Sequence, residues 1–385
     1  MSQPLIHLIA GARPNFMKIA PLIRALRADG RLAFQLIHTG QHFDRDMNDV
    51  FFEELGIPAP DVQLGCGGGT QAEQTARIMT AYEGYLQSSR PACTLVVGDV
   101  NSTLACALVA KKAGIPVAHV EAGLRSGDMR MPEEVNRIVT DAITDWFFVT
   151  EPSGREHLAA EGKPADRIFD VGHVMVDNLL YQDEQLRTAF DASTLATDAI
   201  KRQLGRYAVV TLHRPSNVDG EDNLRRSVGV VNALAAKLPI VFPVHPRTRK
   251  NLELFGIALS PDVHLMGPQT YMAFLHLWRD AVIALTDSGG LQEETTALGV
   301  PCVTMRESTE RPITVTEGTN ILAGTDPAAI AAACDRVLAG QGPAGRRPAL
   351  WDGKASERIV QILVERLVQR ISEIGGAQGS GRAGG

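Results

Sequence analysis

LTDSGGLQEE, residues 285–294, ends an apolar run that begins at residue 281, then passes through two adjacent glycines into a stretch with helical spacing. A short, nearly continuous apolar run is the signature of a parallel strand covered on both faces. Glycine between such a strand and a helix allows a tight turn and leaves the first amides of the helix open to an anion. Asp287 or Ser288 acting as a helix cap accounts for the same residues without any ligand. On either reading the unit is strand, turn, helix, and its repetition decides the fold.

Similar apolar runs recur at residues 5–10, 36–38, 95–97, 117–120, 147–149 and 168–171, with amphipathic stretches at 16–26, 102–112 and 134–144. Alternating strands and helices predict a parallel sheet with helices on both faces. A polar helical segment at 175–199 interrupts the pattern, which restarts at 208–212, 240–244, 263–266, 281–286 and 302–305. The expected fold class is α/β, with two Rossmann-like doubly wound domains facing a cleft. The domains are placed at residues 1–176 and 177–355, followed by a C-terminal helix over 356–374, packing back across the domains, and a flexible tail over 375–385. Doubly wound sheets bind ligands beyond the carboxyl ends of their strands, so the chemistry is expected on loops that follow strands.

Composition fits this picture. A chain of 385 residues exceeds one ordinary core, and 44% hydrophobic with 21% charged residues is typical of a globular protein. The net charge of -6 gives no bulk attraction for nucleic acid or an anionic membrane, so an anionic ligand must be met locally. Cys66, Cys93, Cys106, Cys302 and Cys334 form no CxxC pair and read as reduced thiols. With no basic leader and no run of about eighteen apolar residues, the expected location is cytoplasmic.

Several loops after strands carry reactive residues. GARPNFMK, residues 11–18, places Arg13 and Lys18 at a second helix start, an arrangement suited to a diphosphate, although a solvated basic patch has the same composition. Neither loop has the spacing of a Walker motif or a dinucleotide fingerprint, which argues against triphosphate hydrolysis and hydride transfer. Asp99 in GDVNSTLA, Glu121 in HVEAGLRSGD and Glu133 in PEEVNR supply three carboxylates to the edge of one domain, more than capping requires. His213, next to Arg214, and His245 end two strands of the other domain, where a cation can steady a departing phosphate.

In order and over nearly the whole chain, GARPNFMKIAPL, TGQH, GDVNSTLA, HVEAGLRSGD, PEEVNR, TLHRPSN, PVHPRT, LTDSGGLQEE and ERPITVTEGT resemble the non-hydrolysing UDP-N-acetylglucosamine 2-epimerase family, whose fold is the glycosyltransferase-B type. The resemblance implies an isomerase, acting on a UDP-sugar without metal or nicotinamide cofactor, as a homodimer in polysaccharide biosynthesis. In that family UDP leaves C1 while a proton leaves C2, giving a 2-acetamidoglucal, and UDP then returns with the proton on the opposite face. Asp99, Glu121 and Glu133 resemble the family's catalytic carboxylates, and His213 the histidine that steadies the diphosphate. Arg13, Ser288, Gly289 and Gly290 match its diphosphate contacts, Glu294 its ribose contact and Phe274 its uracil-side aromatic, with Lys18 and His245 as further ligand candidates.

Departures from the family pattern also matter. Asn15 stands where many members have Glu. Gln41 and His42 match an allosteric site in the branch activated by its own substrate, but the rest of that site is not recoverable, so weak or absent activation is expected. Rival readings are a sister epimerase acting on a UDP-2,3-diacetamido uronic acid, for which Arg125, Arg130 or Arg311 would meet the sugar carboxylate, and a glycosyltransferase or a non-catalytic nucleotide-sugar sensor of the same fold.

Overall fold

The computed structural model describes residues 3–41 and 52–380 and divides into two compact units, Met1–Asn178 with Leu350–Gly385, and Leu179–Ala349. The first unit holds β1 (Leu5–Ala10), β2 (Ala33–His38), β3 (Val62–Gln63), β4 (Cys93–Val97), β5 (Val117–Val120), β6 (Trp146–Val149) and β7 (Ile168–Asp170). They form one parallel sheet in the order β3-β2-β1-β4-β5-β6-β7. The second unit holds β8 (Ala208–Thr211), β9 (Ile240–Pro243), β10 (Val263–Met266), β11 (Ile283–Thr286), β12 (Cys302–Thr304) and β13 (Asn320–Leu322), parallel in the order β10-β9-β8-β11-β12-β13. Both are doubly wound α/β units of the glycosyltransferase-B type.

Every residue of β4, β5 and β6 is buried, as the continuous apolar runs require when helices cover both faces. Ile78, Tyr82, Val96, Cys106 and Val109 lie in the core of the first unit, and Val210, Leu224, Val231, Phe242, Leu285 and Ile330 in that of the second. Strand order reverses between β1 and β4 in one sheet and between β8 and β11 in the other. The loops after these four strands therefore border the crevice that such sheets offer to ligands.

Three features differ from the sequence expectation. Residues 175–199 are two helices, Val174–Thr188 and Ala196–Leu204, because Asp191 caps an intervening turn by accepting the Ser193 amide at 3.1 Å. Within the first of these helices Asn178 ends one unit and Leu179 begins the other. Residues 350–355 lie with the first unit: Trp351 is fully buried and its Nε1 donates to the Thr150 carbonyl at 3.2 Å. Finally, the last helix, Ala355–Ser380, runs into the segment expected as a tail, since no proline stops its propagation. It starts on Asp177, whose carboxylate accepts the Ala355 and Ser356 amides, and packs against the helix Arg13–Asp29 of its own unit.

Candidate functional site

At the first switch point Asn15 ties two loops together. Its Oδ1 accepts the Gly11 and Ala12 amides, each at 3.0 Å, and its Nδ2 donates to the Val97 carbonyl at 3.1 Å. A glutamate cannot make that last bond, so the residue that departs from the family pattern has a local structural role. Arg13 opens the helix that follows. Gly98, next to Val97, has φ +66, and a Cβ there would lie 2.8 Å from Lys18 Nζ and 3.4 Å from Glu121 Oε2. The missing side chain makes room for those two groups, which form an ion pair with side chains 8% and 3% exposed. Lys18, expected to face a diphosphate, thus places its ammonium on a carboxylate.

Glu121 itself sits at φ +74, a region that residues with a Cβ rarely occupy. The amides of Glu121 and Ala122 both donate to the Phe148 carbonyl, at 3.0 and 3.1 Å, which forces the turn at the end of β5. Such strain persists only where its surroundings hold it, and it clusters at functional sites. Beneath the loop, His119 Nδ1 lies 2.7 Å from Asp141 and its Nε2 lies 2.8 Å from the Gly98 carbonyl. Burial would raise the Asp141 carboxyl, but His119 and Arg125 beside it hold it below its ordinary value. A buried charge cluster therefore fixes the backbone from which Asp99 and Glu121 project.

Asp99, partly exposed, accepts a hydrogen bond from Arg137 Nη1 at 2.6 Å. The same guanidinium donates through Nε to Glu134 at 3.0 Å. Glu134 also accepts the Ser126 and Gly127 amides, each at 2.9 Å; burial pushes its carboxyl up, but these amides and Arg137 bring it below the usual value. Glu133, its neighbour in the first turn of the helix Pro132–Ile143, is exposed. Gln41 is buried and committed locally, its Oε1 accepting from the Ser102 amide at 3.0 Å and hydroxyl at 2.7 Å. His42 lies outside the described residues.

In the second unit the centre is Asp287, fully buried after β11. It accepts from the His213 and Arg214 amides and from Asn217 Nδ2, and His213 Nδ1 lies 3.1 Å away. Burial pushes this carboxyl up, but the His213 contact and the amides hold it below its ordinary value. Asp287 thus binds the loop after β8 to the loop after β11 and orients a half-exposed His213. Ser288 leads into the helix Gly289–Leu298, and its side chain makes no capping bond there. Further along that helix Glu294 is buried, pushed up to about 8 by burial, with the Tyr271 hydroxyl donating to it at 3.2 Å. Phe274 sits half-buried on the helix Tyr271–Trp278. His245 is exposed and caps the helix Pro246–Leu254, its Nδ1 accepting the Arg247 amide at 3.2 Å.

The family model described as UDP-N-acetylglucosamine 2-epimerase matches residues 24–364. The chain belongs to that family. A UDP-N-acetylglucosamine 2-epimerase of Methanocaldococcus jannaschii is 38% identical over 370 residues, covering 93% of this chain and 98% of the relative. A Pseudomonas aeruginosa UDP-2,3-diacetamido-2,3-dideoxy-D-glucuronate 2-epimerase is 39% identical over 360 residues, covering 93% and 98%. Among solved structures, the M. jannaschii family member in complex with UDP-GlcNAc and UDP superposes with a TM-score of 0.83 at 38% identity, covering 94% of this chain and 99% of that one. The Neisseria meningitidis UDP-GlcNAc 2-epimerase bound to UDP-GlcNAc gives 0.82 at 28% identity, covering 94% and 100%.

Membership makes this chain an epimerase of the isomerase class with a nucleotide-sugar substrate. No helix among the described residues is long and apolar enough to cross a membrane. The sequence reading found the loops but missed the groups that organise them: Asp287 as an acceptor of amides, the His119–Asp141 pair, Glu134, Arg137 and Arg306. Asp287, the His119–Asp141 pair and the Arg137 bond to Asp99 act between distant segments, and Glu134 and Arg306 through bonds to residues nearby in the chain; spacing along the sequence carries no signal for either.

Proposed function

We propose that this protein interconverts UDP-N-acetylglucosamine and UDP-N-acetylmannosamine by eliminating UDP across C1–C2 and adding it back on the opposite face. The observation that carries the reading is the pairing of Asp99 and Glu121 around Gly98, one partly exposed on Arg137 and the other buried on Lys18. Two carboxylates in unlike surroundings suit two proton transfers of unlike direction. Glu133, exposed in the first turn of the helix Pro132–Ile143, is the third candidate. C2–H becomes acidic only as C1 becomes cationic, so leaving-group stabilisation must accompany proton removal. His213 on Asp287, with Ser288, Gly289, Gly290 and the start of the following helix, is assigned to the diphosphate, and Glu294 and Phe274 to the nucleoside. Arg13 joins the diphosphate set, and Lys18 and His245 take supporting roles, the first through Glu121 and the second as a cap. The five buried, unpaired cysteines fit a reducing cytoplasm, and a homodimer is the expected assembly.

The P. aeruginosa relative favours a second reading, epimerisation of the UDP-2,3-diacetamido uronic acid. Its extra carboxylate calls for a cation, yet Arg125 is paired with Asp141 and Glu161, Arg130 with Asp128 and Arg311 with Glu293. The N-acetylglucosamine substrate needs no such cation and is preferred. Proton NMR in deuterated water with UDP-N-acetylglucosamine tests this: UDP-N-acetylmannosamine carrying deuterium at C2 is expected. Turnover of only the uronate would transfer the proposal to the second substrate.

A further inference from the structure

Arg306 lies two residues beyond β12, beside the strand β11 that delivers Gly289. Its side chain is 8% exposed, Nη2 donates to Glu310 Oε1 at 2.8 Å, and Nη1 is buried with no hydrogen-bond partner among the described residues. A guanidinium nitrogen without an acceptor in a buried position is costly, and native structures seldom keep one without a purpose. A Cβ placed on Gly289 would have Arg306 Nη1 as its nearest neighbour, at 3.9 Å. The unpaired nitrogen therefore faces the start of the ten-residue helix Gly289–Leu298, where unbonded amides and the helix dipole already favour an anion.

The nearby acid does not fill this space. Both Asp287 oxygens are engaged by the His213 and Arg214 amides and Asn217 on the side of β8. Glu310 holds the guanidinium from its other nitrogen, and burial, which would raise its carboxyl, is outweighed by Arg306, which brings it down to about 2. The side chain is thus fixed with one N–H donor already desolvated and aimed.

Resting on the UDP-sugar reading, we infer that Arg306 is a direct ligand of the diphosphate, donating from Nη1 to a phosphate oxygen held at the Gly289 helix start. It contacts the leaving group in both the sugar-bound and the UDP-bound states, and Glu310 serves as its positioning residue. The sequence analysis did not single out Arg306, which lies just before the family motif ERPITVTEGT.

Calorimetric titration of the full chain with UDP, inorganic pyrophosphate and uridine tests the inference on two variants. Arg306→Gln removes the charge. Gly289→Ala adds a methyl group in ordinary contact distance of Nη1 and improves helix propensity, so it is expected to fold. Both variants should bind UDP and pyrophosphate about 10- to 100-fold more weakly, the range of a charge-assisted hydrogen bond, with uridine unchanged. Unchanged pyrophosphate affinity in either folded variant, or an equal loss for uridine, overturns the assignment. Wild type that binds pyrophosphate through Arg306 but not UDP retains the anion site and removes the UDP-sugar reading. Wild type that epimerises while Arg306→Gln keeps full UDP affinity retains that reading and removes this inference.

Discussion

Lys18 and Glu121, 103 residues apart in sequence, form a buried ion pair in the space that Gly98 leaves open. Removing one member of such a pair strands the other charge away from water, at about 3–5 kcal/mol. Lys18→Met should therefore lower the melting temperature more than a double Lys18→Met/Glu121→Gln variant, although the double variant loses more side-chain chemistry. Thermal unfolding of wild type and the two variants checks this, and a double variant less stable than Lys18→Met contradicts the pairing.

The Glu294 carboxyl, raised to about 8 by burial, gives a pH dependence opposite to that of a salt-bridged acid. Between its unfolded value near 4.5 and about 8 the folded state holds the proton more tightly than the unfolded one. Stability attributable to this group is thus full below 4.5 and falls as pH rises, by about 1.4 kcal/mol for each unit across that window. Glu294→Gln abolishes this contribution, so its melting temperature should gain on wild type as pH increases from 5 to 8. A constant difference across that range would show that burial does not control the group.

Asp287 acts in the other direction. Its folded carboxyl is held below the ordinary value despite burial, so its contribution is present above the unfolded value and is lost as pH falls through the lower folded one. Asp287→Asn exchanges one acceptor oxygen for a donor facing amides that also donate, and should cost about 1–3 kcal/mol of stability. It should also reduce kcat strongly, by freeing His213, while His213→Ala reduces kcat without the stability loss. Paired unfolding and steady-state measurements on both variants separate the two roles. Equal stability of Asp287→Asn and wild type would remove the positioning argument.

Gln41 spends its side-chain oxygen on Ser102, which leaves it poorly placed to report a second sugar nucleotide. Reverse turnover of UDP-N-acetylmannosamine should therefore start without added UDP-N-acetylglucosamine. A lag that vanishes on adding traces of UDP-N-acetylglucosamine would count against this.

What the sequence disclosed and what it withheld divide along physical lines. The run 117–120 coincides with β5, an inner strand buried throughout, whereas 263–266 coincides with the edge strand β10, where Val263 is buried and Leu265 is exposed. β3 and β13, two and three residues long, are too short to carry a period. Asp99, Glu121 and His213 are legible because each directly follows an apolar strand run, Asp99 and His213 at the switch points and Glu121 after the neighbouring β5. Lys18 is visible as a cation but not as the partner of Glu121, since that contact depends on how β1 and β5 lie in the same sheet. Arg306 has no local pattern at all, and only the packing of the loop after β12 beside Gly289 exposes its unpaired nitrogen.

Glu133 and Glu134 offer the most discriminating comparison, because adjacent carboxylates have opposite surroundings. Glu134 is buried, accepts two backbone amides and binds Arg137, the residue that also holds Asp99. Glu134→Gln should lower stability by about 1–3 kcal/mol, since one amide is left facing a donor, and it should impair Asp99 through Arg137. Glu133 has its side chain in solvent on the first helical turn, so Glu133→Gln should leave the melting temperature within about a degree of wild type. If Glu133 takes part in proton transfer, the same variant lowers kcat by about 100-fold or more with KM little changed. Deuterium incorporation at C2 of each epimer, followed separately, then assigns the face it serves: loss of exchange from one substrate alone places Glu133 on that side. Wild-type kcat in Glu133→Gln, together with a large loss in Glu134→Gln, transfers the third carboxylate role to the network around Arg137.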